Sequence, residues 1–96
     1  MSDIFDQLTE KFTDNEDFKK RRELEALRNL CYQVCSDIYG APVYNSLARG
    51  GITSIRALYE TDIDDIAKIR NMGKIRMHWV KELRNVIQKE LRTMKF

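Results

Sequence analysis

Proline and glycine are scarce in this chain: one proline and four glycines in 96 residues. Both residues interrupt regular backbone, so their scarcity points to a mostly helical protein. Gly40, Gly50, Gly51 and Gly73 all fall in breaks between periodic segments. No stretch alternates apolar and polar residues with a period of two, which excludes a sheet. No run of about 18 apolar residues occurs, so no transmembrane helix is expected. Metal ligands are too few for a zinc site: Cys31 and Cys35 lie four apart, and His78 is the sole histidine. The two thiols read as reduced, buried side chains of a helix core. The chain also lacks a phosphate loop, a nucleophile beside a base, and paired carboxylates in an apolar setting. No enzymatic activity, cofactor or metal is therefore expected.

What is present is one core's worth of apolar residues and a polarised charge distribution. The hydrophobic fraction is 43% and the net charge only +2. Residues 1 to 18 carry six acids and one base, whereas residues 68 to 96 carry nine bases and two acids. A basic end suits phosphate or an acidic protein partner; it also suits a plain solvated face. The acidic opening Met1-Ser2-Asp3-Ile4-Phe5-Asp6 argues against a signal peptide, so the expected location is cytoplasmic, nucleoid-associated if the protein binds DNA.

The periodicity gives an all-α fold: a compact bundle of short helices around a helix-hairpin-helix-like turn, with an extra long helix or arm at the N-terminus. A first helix over 3–12 has Ser2 as N-cap and an apolar stripe of Ile4, Phe5, Leu8 and Phe12. Asp14 or Asn15 starts a long helix over 15–39, with Glu16 and Asp17 in its first turn. Leu24, Leu27, Cys31, Val34 and Ile38 form its seam, which either packs on the rest of the chain or pairs two copies through residues 1–39. Gly40 stops it. Residues 1–41 thus read as an arm and 42–96 as the helical domain. In that domain Pro42 to Arg49 forms a short helix ended by Gly50-Gly51, and Thr53 caps another. Thr61 or Asp62 caps a third, ending at Arg70. A last helix over 74–92 buries Trp79, Val80, Leu83, Val86, Ile87 and Leu91 and presents Lys74, Arg76, Lys81, Arg84 and Lys89 on its other side.

The most informative stretch joins the last two helices: Ile66-Ala67-Lys68-Ile69-Arg70-Asn71-Met72-Gly73-Lys74. Asn71 tolerates the left-handed backbone of a tight turn, and Gly73 lets another backbone come close. The amides opening the next helix carry partial positive charge, which suits a nucleic-acid phosphate. Arg70, Lys74 and Arg76 add cations beside them. The alternative is a turn that needs Asn and Gly for geometry only.

Residues 43 to 91 resemble the C-terminal domain of the bacterial RNA polymerase alpha subunit. The resemblance rests on Tyr44-Asn45-Ser46-Leu47, on Gly51-Ile52-Thr53-Ser54-Ile55-Arg56-Ala57-Leu58, and on Ile66 through Lys74, in one gapless register. It implies a small helical domain of a free-standing transcription-associated protein. Such a domain docks on DNA backbone and the minor groove of A·T-rich sequence, with low specificity, and also contacts transcription proteins. Carried onto this chain, Asn45, Gly73 and Lys74 occupy matching DNA-contact positions. Pro42 stands where the family has an arginine, Ile75 and Arg76 replace a lysine and a serine, and Trp79 replaces a glutamate.

The candidate DNA-binding residues are therefore Asn45, Arg49, Arg70, Asn71, Gly73, Lys74 and Arg76. Asn45 either reaches a base edge or caps locally; Arg49 either meets phosphate or complements a helix C-terminus. The run Lys19-Lys20-Arg21-Arg22 reads as a solvated face paired with nearby glutamates, with a second phosphate patch as the alternative. Trp79 is a core residue or, if exposed, a stacking platform. A protein-interaction module mimicking the polymerase domain, and binding a regulator, a sigma factor or itself, is the rival functional reading. A third combines them, with acidic residues 1 to 18 folded over the basic face as a mask.

Overall fold

The computed structural model describes residues 3–13 and 18–94. Among these, six helices and no strands are found: α1 (Ile4–Phe12), α2 (Lys19–Val34), α3 (Gly40–Arg49), α4 (Ile55–Glu60), α5 (Ile63–Ala67) and α6 (Lys74–Met94). The expected all-α bundle is what the chain forms. Helix boundaries differ from the sequence expectation in instructive places.

Asp3, not Ser2, caps α1. Its Oδ1 accepts the Asp6 N–H at 2.9 Å while Asp6 accepts in return from the Asp3 N–H, a reciprocal capping box. Ser2 itself lies outside the described residues, as do Asp14, Asn15, Glu16 and Asp17, the expected start of the long helix. The described part of α2 begins at Lys19 and ends at Val34, not at Tyr39. Cys35 turns extended, and the Ser36 carbonyl accepts the N–H groups of Tyr39 and Gly40. Gly40 opens α3 instead of closing α2. A Cβ at Gly40 would lie 2.7 Å from Tyr32 Cδ1, so the missing side chain lets the chain fold back onto α2. Ile38, which fits the spacing of the α2 seam, is a connector residue 75% exposed.

Pro42 sits in the first turn of α3, where its missing N–H has no helical partner to lose. The helix closes with a Schellman motif. Gly51 has φ 86°, its N–H donates to the Ala48 carbonyl, and Ile52 N–H reaches back to the Leu47 carbonyl at 2.9 Å. Ser54, not Thr53, caps α4 by accepting the Ala57 N–H at 3.0 Å. Of the two candidates for α5, Asp62 is the cap, accepting from Asp64 N–H. Helix α5 stops at Ala67, three residues before Arg70, and successive tight turns through Ile69 lead to α6.

All six helices feed one core. Leu8 of α1 and Ala26, Leu27, Leu30 and Cys31 of α2 are wholly buried in the same cluster as Val43, Ile55, Ile66 and Leu83. The Cα radius of gyration, 12.6 Å, matches the roughly 12.5 Å of a single globule of this length. Helices α1 and α2 thus share one core with α3 to α6. Of the expected α2 seam, Leu27 and Cys31 are wholly buried, Leu24 and Val34 half-buried, and Ile38 exposed. On α6, Val80, Leu83, Ile87 and Leu91 are buried as expected, while Trp79 and Val86 are half-buried at the edge of that stripe.

Candidate nucleic-acid interface

The α5–α6 turn is held from inside by Met72, which is 8% exposed in the core. Asn71 takes φ 68°, the left-handed conformation its side chain tolerates best after glycine. Gly73 is different. Its backbone is not left-handed, and a Cβ built on it would meet nothing within 4 Å. Neither a positive φ nor a neighbouring atom therefore demands a glycine here, although glycine suits its place as the N-cap of α6. The Gly73 carbonyl accepts the Met77 N–H at 2.9 Å, the first bond of α6. Around it Arg70, Asn71, Gly73 and Lys74 are all exposed.

Two contacts lock α3 to this turn. Arg76 Nη1 donates to Ser46 Oγ and to the Asn71 carbonyl, each at 2.9 Å. Ile69 covers Gly50, with Ile69 Cδ1 occupying the space a Gly50 side chain would need. Asn45 and Arg49, both exposed, flank these contact points on α3. The seven candidate residues therefore come from one corner where α3 meets the turn. Arg76 is half-buried and its Nη1 is engaged in shaping that corner.

Ser46 was missing from the candidate list. It lies on the buried face of α3 between Val43 and Leu47, and it is 3% exposed. A hydroxyl on an otherwise apolar helix face needs a partner, and that was the available signal.

The acidic N-terminal segment does not cover the corner within the described residues. Asp3 pairs with Arg56 of α4, Glu10 with Arg22 of α2 at 3.1 Å, and Lys11 with Glu90 of α6. Glu90 lies about 24 Å along α6 from Lys74 at the usual helical rise. Of the Lys19–Arg22 run, Arg22 pairs with Glu10 of α1. Trp79 packs against the core and stacks on Tyr39, with ring centroids 6.5 Å apart.

The thiols lie elsewhere in the fold. Both are free and buried, and burial pushes Cys31 up to about 12 and Cys35 up to about 11. Thiols so protonated are poor nucleophiles and poor metal ligands. Among the described residues no three His, Cys, Asp or Glu side chains converge on a metal position, and no helix is long and apolar enough to cross a membrane.

No family model and no solved structure matches the chain.

Proposed function

We propose that this protein is a small DNA-binding module of the transcription apparatus, docking on duplex backbone and minor groove through the 71–76 turn. Gly73 carries the reading. It is exposed beside Lys74 and Arg70, and neither its backbone nor its surroundings require a glycine. A bare N-cap with open space around it suits close approach by an external backbone. Lys74 and Arg70 supply charge for phosphate, Asn45 and Arg49 extend the contact from α3, and Arg76 with Asn71 holds the turn in shape. The resemblance of residues 43–91 to the polymerase alpha C-terminal domain supplies the transcriptional setting and the A·T-rich preference.

A titration of A·T-rich and G·C-rich duplexes at about 50 and 200 mM salt tests this. Binding should be micromolar or weaker, favour A·T and weaken with salt. Gly73→Asp and Lys74→Glu should each abolish it. Parent-like binding by both variants would overturn the reading.

One observation favours the rival protein-interaction module. Ile75, immediately after Lys74, is 55% exposed, an apolar side chain where the family carries a lysine. A partner docking there would leave DNA affinity unmeasurable at about 50 mM salt, where electrostatic binding is strong, while Ile75→Glu disrupted recovery of a transcription protein.

A further inference from the structure

The six cations of α6 fall into two groups. Arg76 and Arg84 are engaged within the fold: Arg76 with Ser46 and Asn71, Arg84 with the Leu58 and Thr61 carbonyls at the end of α4. Lys74, Lys81, Lys89 and Arg92 are exposed and make no ion pair or hydrogen bond with their side chains among the described residues. At about 100° per residue these four fall within an arc of about 80°, on a line running about 27 Å along the helix. His78 and Asn85 fill the gaps on the same line, and both are exposed. The acids of α6 lie off it: Glu82 is half-buried at the margin, and Glu90 is bound to Lys11.

A merely solvated face gains from alternating acids and bases three and four residues apart. This line has none of those acids, while Glu90, Arg76 and Arg84 beside it are engaged within the fold. Like charges repeated along one helix face repel one another unless a polyanion neutralises them. We propose that the outer line of α6 is a track for the phosphate backbone of a duplex, which leaves the 70–74 turn and continues along the helix to Arg92. This rests on the DNA-binding reading of the turn. It adds that the turn is one end of a longer footprint, about eight base pairs at roughly 3.4 Å each.

The test compares the full chain with Lys81→Gln/Lys89→Gln and with Gly73→Asp, on duplexes of 6 and 14 base pairs, over a salt series. Both lysines are exposed, and unchanged circular dichroism and melting temperature would establish that the double variant is folded. Each phosphate contact contributes about 0.9 to the salt slope, so the double variant should lose about 1.8 of it and bind at least tenfold more weakly at about 50 mM salt. Lys81→Arg/Lys89→Arg should restore both. The parent should prefer the longer duplex, and the double variant should not. If Lys81→Gln/Lys89→Gln keeps the parent slope while Gly73→Asp fails to bind, the track is wrong and the turn stands. If Gly73→Asp binds like the parent while the double variant fails, the track stands without the turn. Binding of the parent to vesicles of anionic phospholipid, with no binding to either duplex, would overturn the track.

Discussion

Ile69 fills the space that a side chain on Gly50 would enter. A Cβ there would lie 2.4 Å from Ile69 Cδ1 and 2.6 Å from Ile69 Cγ1, far inside van der Waals contact. This contact, together with the Arg76–Ser46 hydrogen bond, fixes where the end of α3 sits against the α5–α6 turn.

The two glycines of this corner should therefore behave differently. Gly50→Ala forces Ile69 to move and should cost about 1–3 kcal/mol in urea unfolding. Gly73→Ala meets open space, so its cost should be confined to the lost N-cap preference, about 0.5–1 kcal/mol. If Gly73 serves DNA, the same alanine should weaken duplex binding while leaving the fold intact. Equal stability losses for the two substitutions would show that Gly73 has a structural duty after all.

Arg76 and Ser46 should be energetically coupled. Arg76→Met and Ser46→Ala each remove one side of the 2.9 Å bond, and Arg76→Met also strips the Asn71 carbonyl of a donor. Arg76→Met should cost about 1.5–3 kcal/mol, the range of a hydrogen bond to a charged group, and Ser46→Ala somewhat less. The double-mutant cycle should return a coupling of about 1 kcal/mol. Additive losses would mean that the bond contributes nothing to the corner.

Much of this arrangement was legible in the residue pattern, because helix periodicity and turn chemistry are local. The Asn71 turn, the Gly50-Gly51 stop, a cap at Thr61 or Asp62 and the buried line of α6 all follow from spacing and backbone preference. The misplaced features depend on contacts between residues on different elements. Ile38 fits the α2 seam, but the chain breaks at Cys35 because α3 folds back through Gly40 against Tyr32. Thr53 and Ser54 are equally good caps on paper, and only the fold selects Ser54. The location of α1 was illegible, since three ion pairs and the Asn29–Phe12 hydrogen bond that seat it join residues far apart in the chain. Within the corner, the turn was readable from sequence, whereas the role of Ser46 required knowing that α3 lies beside α6.

Alkali should destabilise the protein through its thiols. Burial raises Cys31 from an ordinary value of 9.0 to about 12, so the fold holds this thiol protonated where the unfolded chain would ionise it. That contribution is complete below about pH 9 and is lost as pH rises from there toward about 12, and Cys35 acts in the same sense toward about 11. Between pH 9 and 10, Cys31 alone should remove about 1 kcal/mol of unfolding free energy. Urea midpoints at pH 8 and 10 give the measurement. Cys31→Ala should start less stable, from its lost packing, but show a shallower fall. An unchanged slope in that variant would place the alkaline sensitivity elsewhere.

Helix α1 should unfold with the rest of the chain. Leu8 is fully buried against the common core, and α1 is seated by pairs to α2, α4 and α6. Leu8→Ala should cost about 2–4 kcal/mol, the range for a large buried side chain cut to a methyl group. In a chain of this size that lowers the melting temperature by at least about 8 °C. Trp79, the sole tryptophan, sits on α6 in contact with Tyr39, so its fluorescence reports on the distant part of the domain. Fluorescence and far-ultraviolet circular dichroism should give one coincident transition, shifted equally by Leu8→Ala. An early loss of helix with the Trp79 transition left in place would mean instead that residues 3–13 are a detachable arm. Removing them would then be a way to uncover surface on α2, α4 and α6, not a way to unfold the protein.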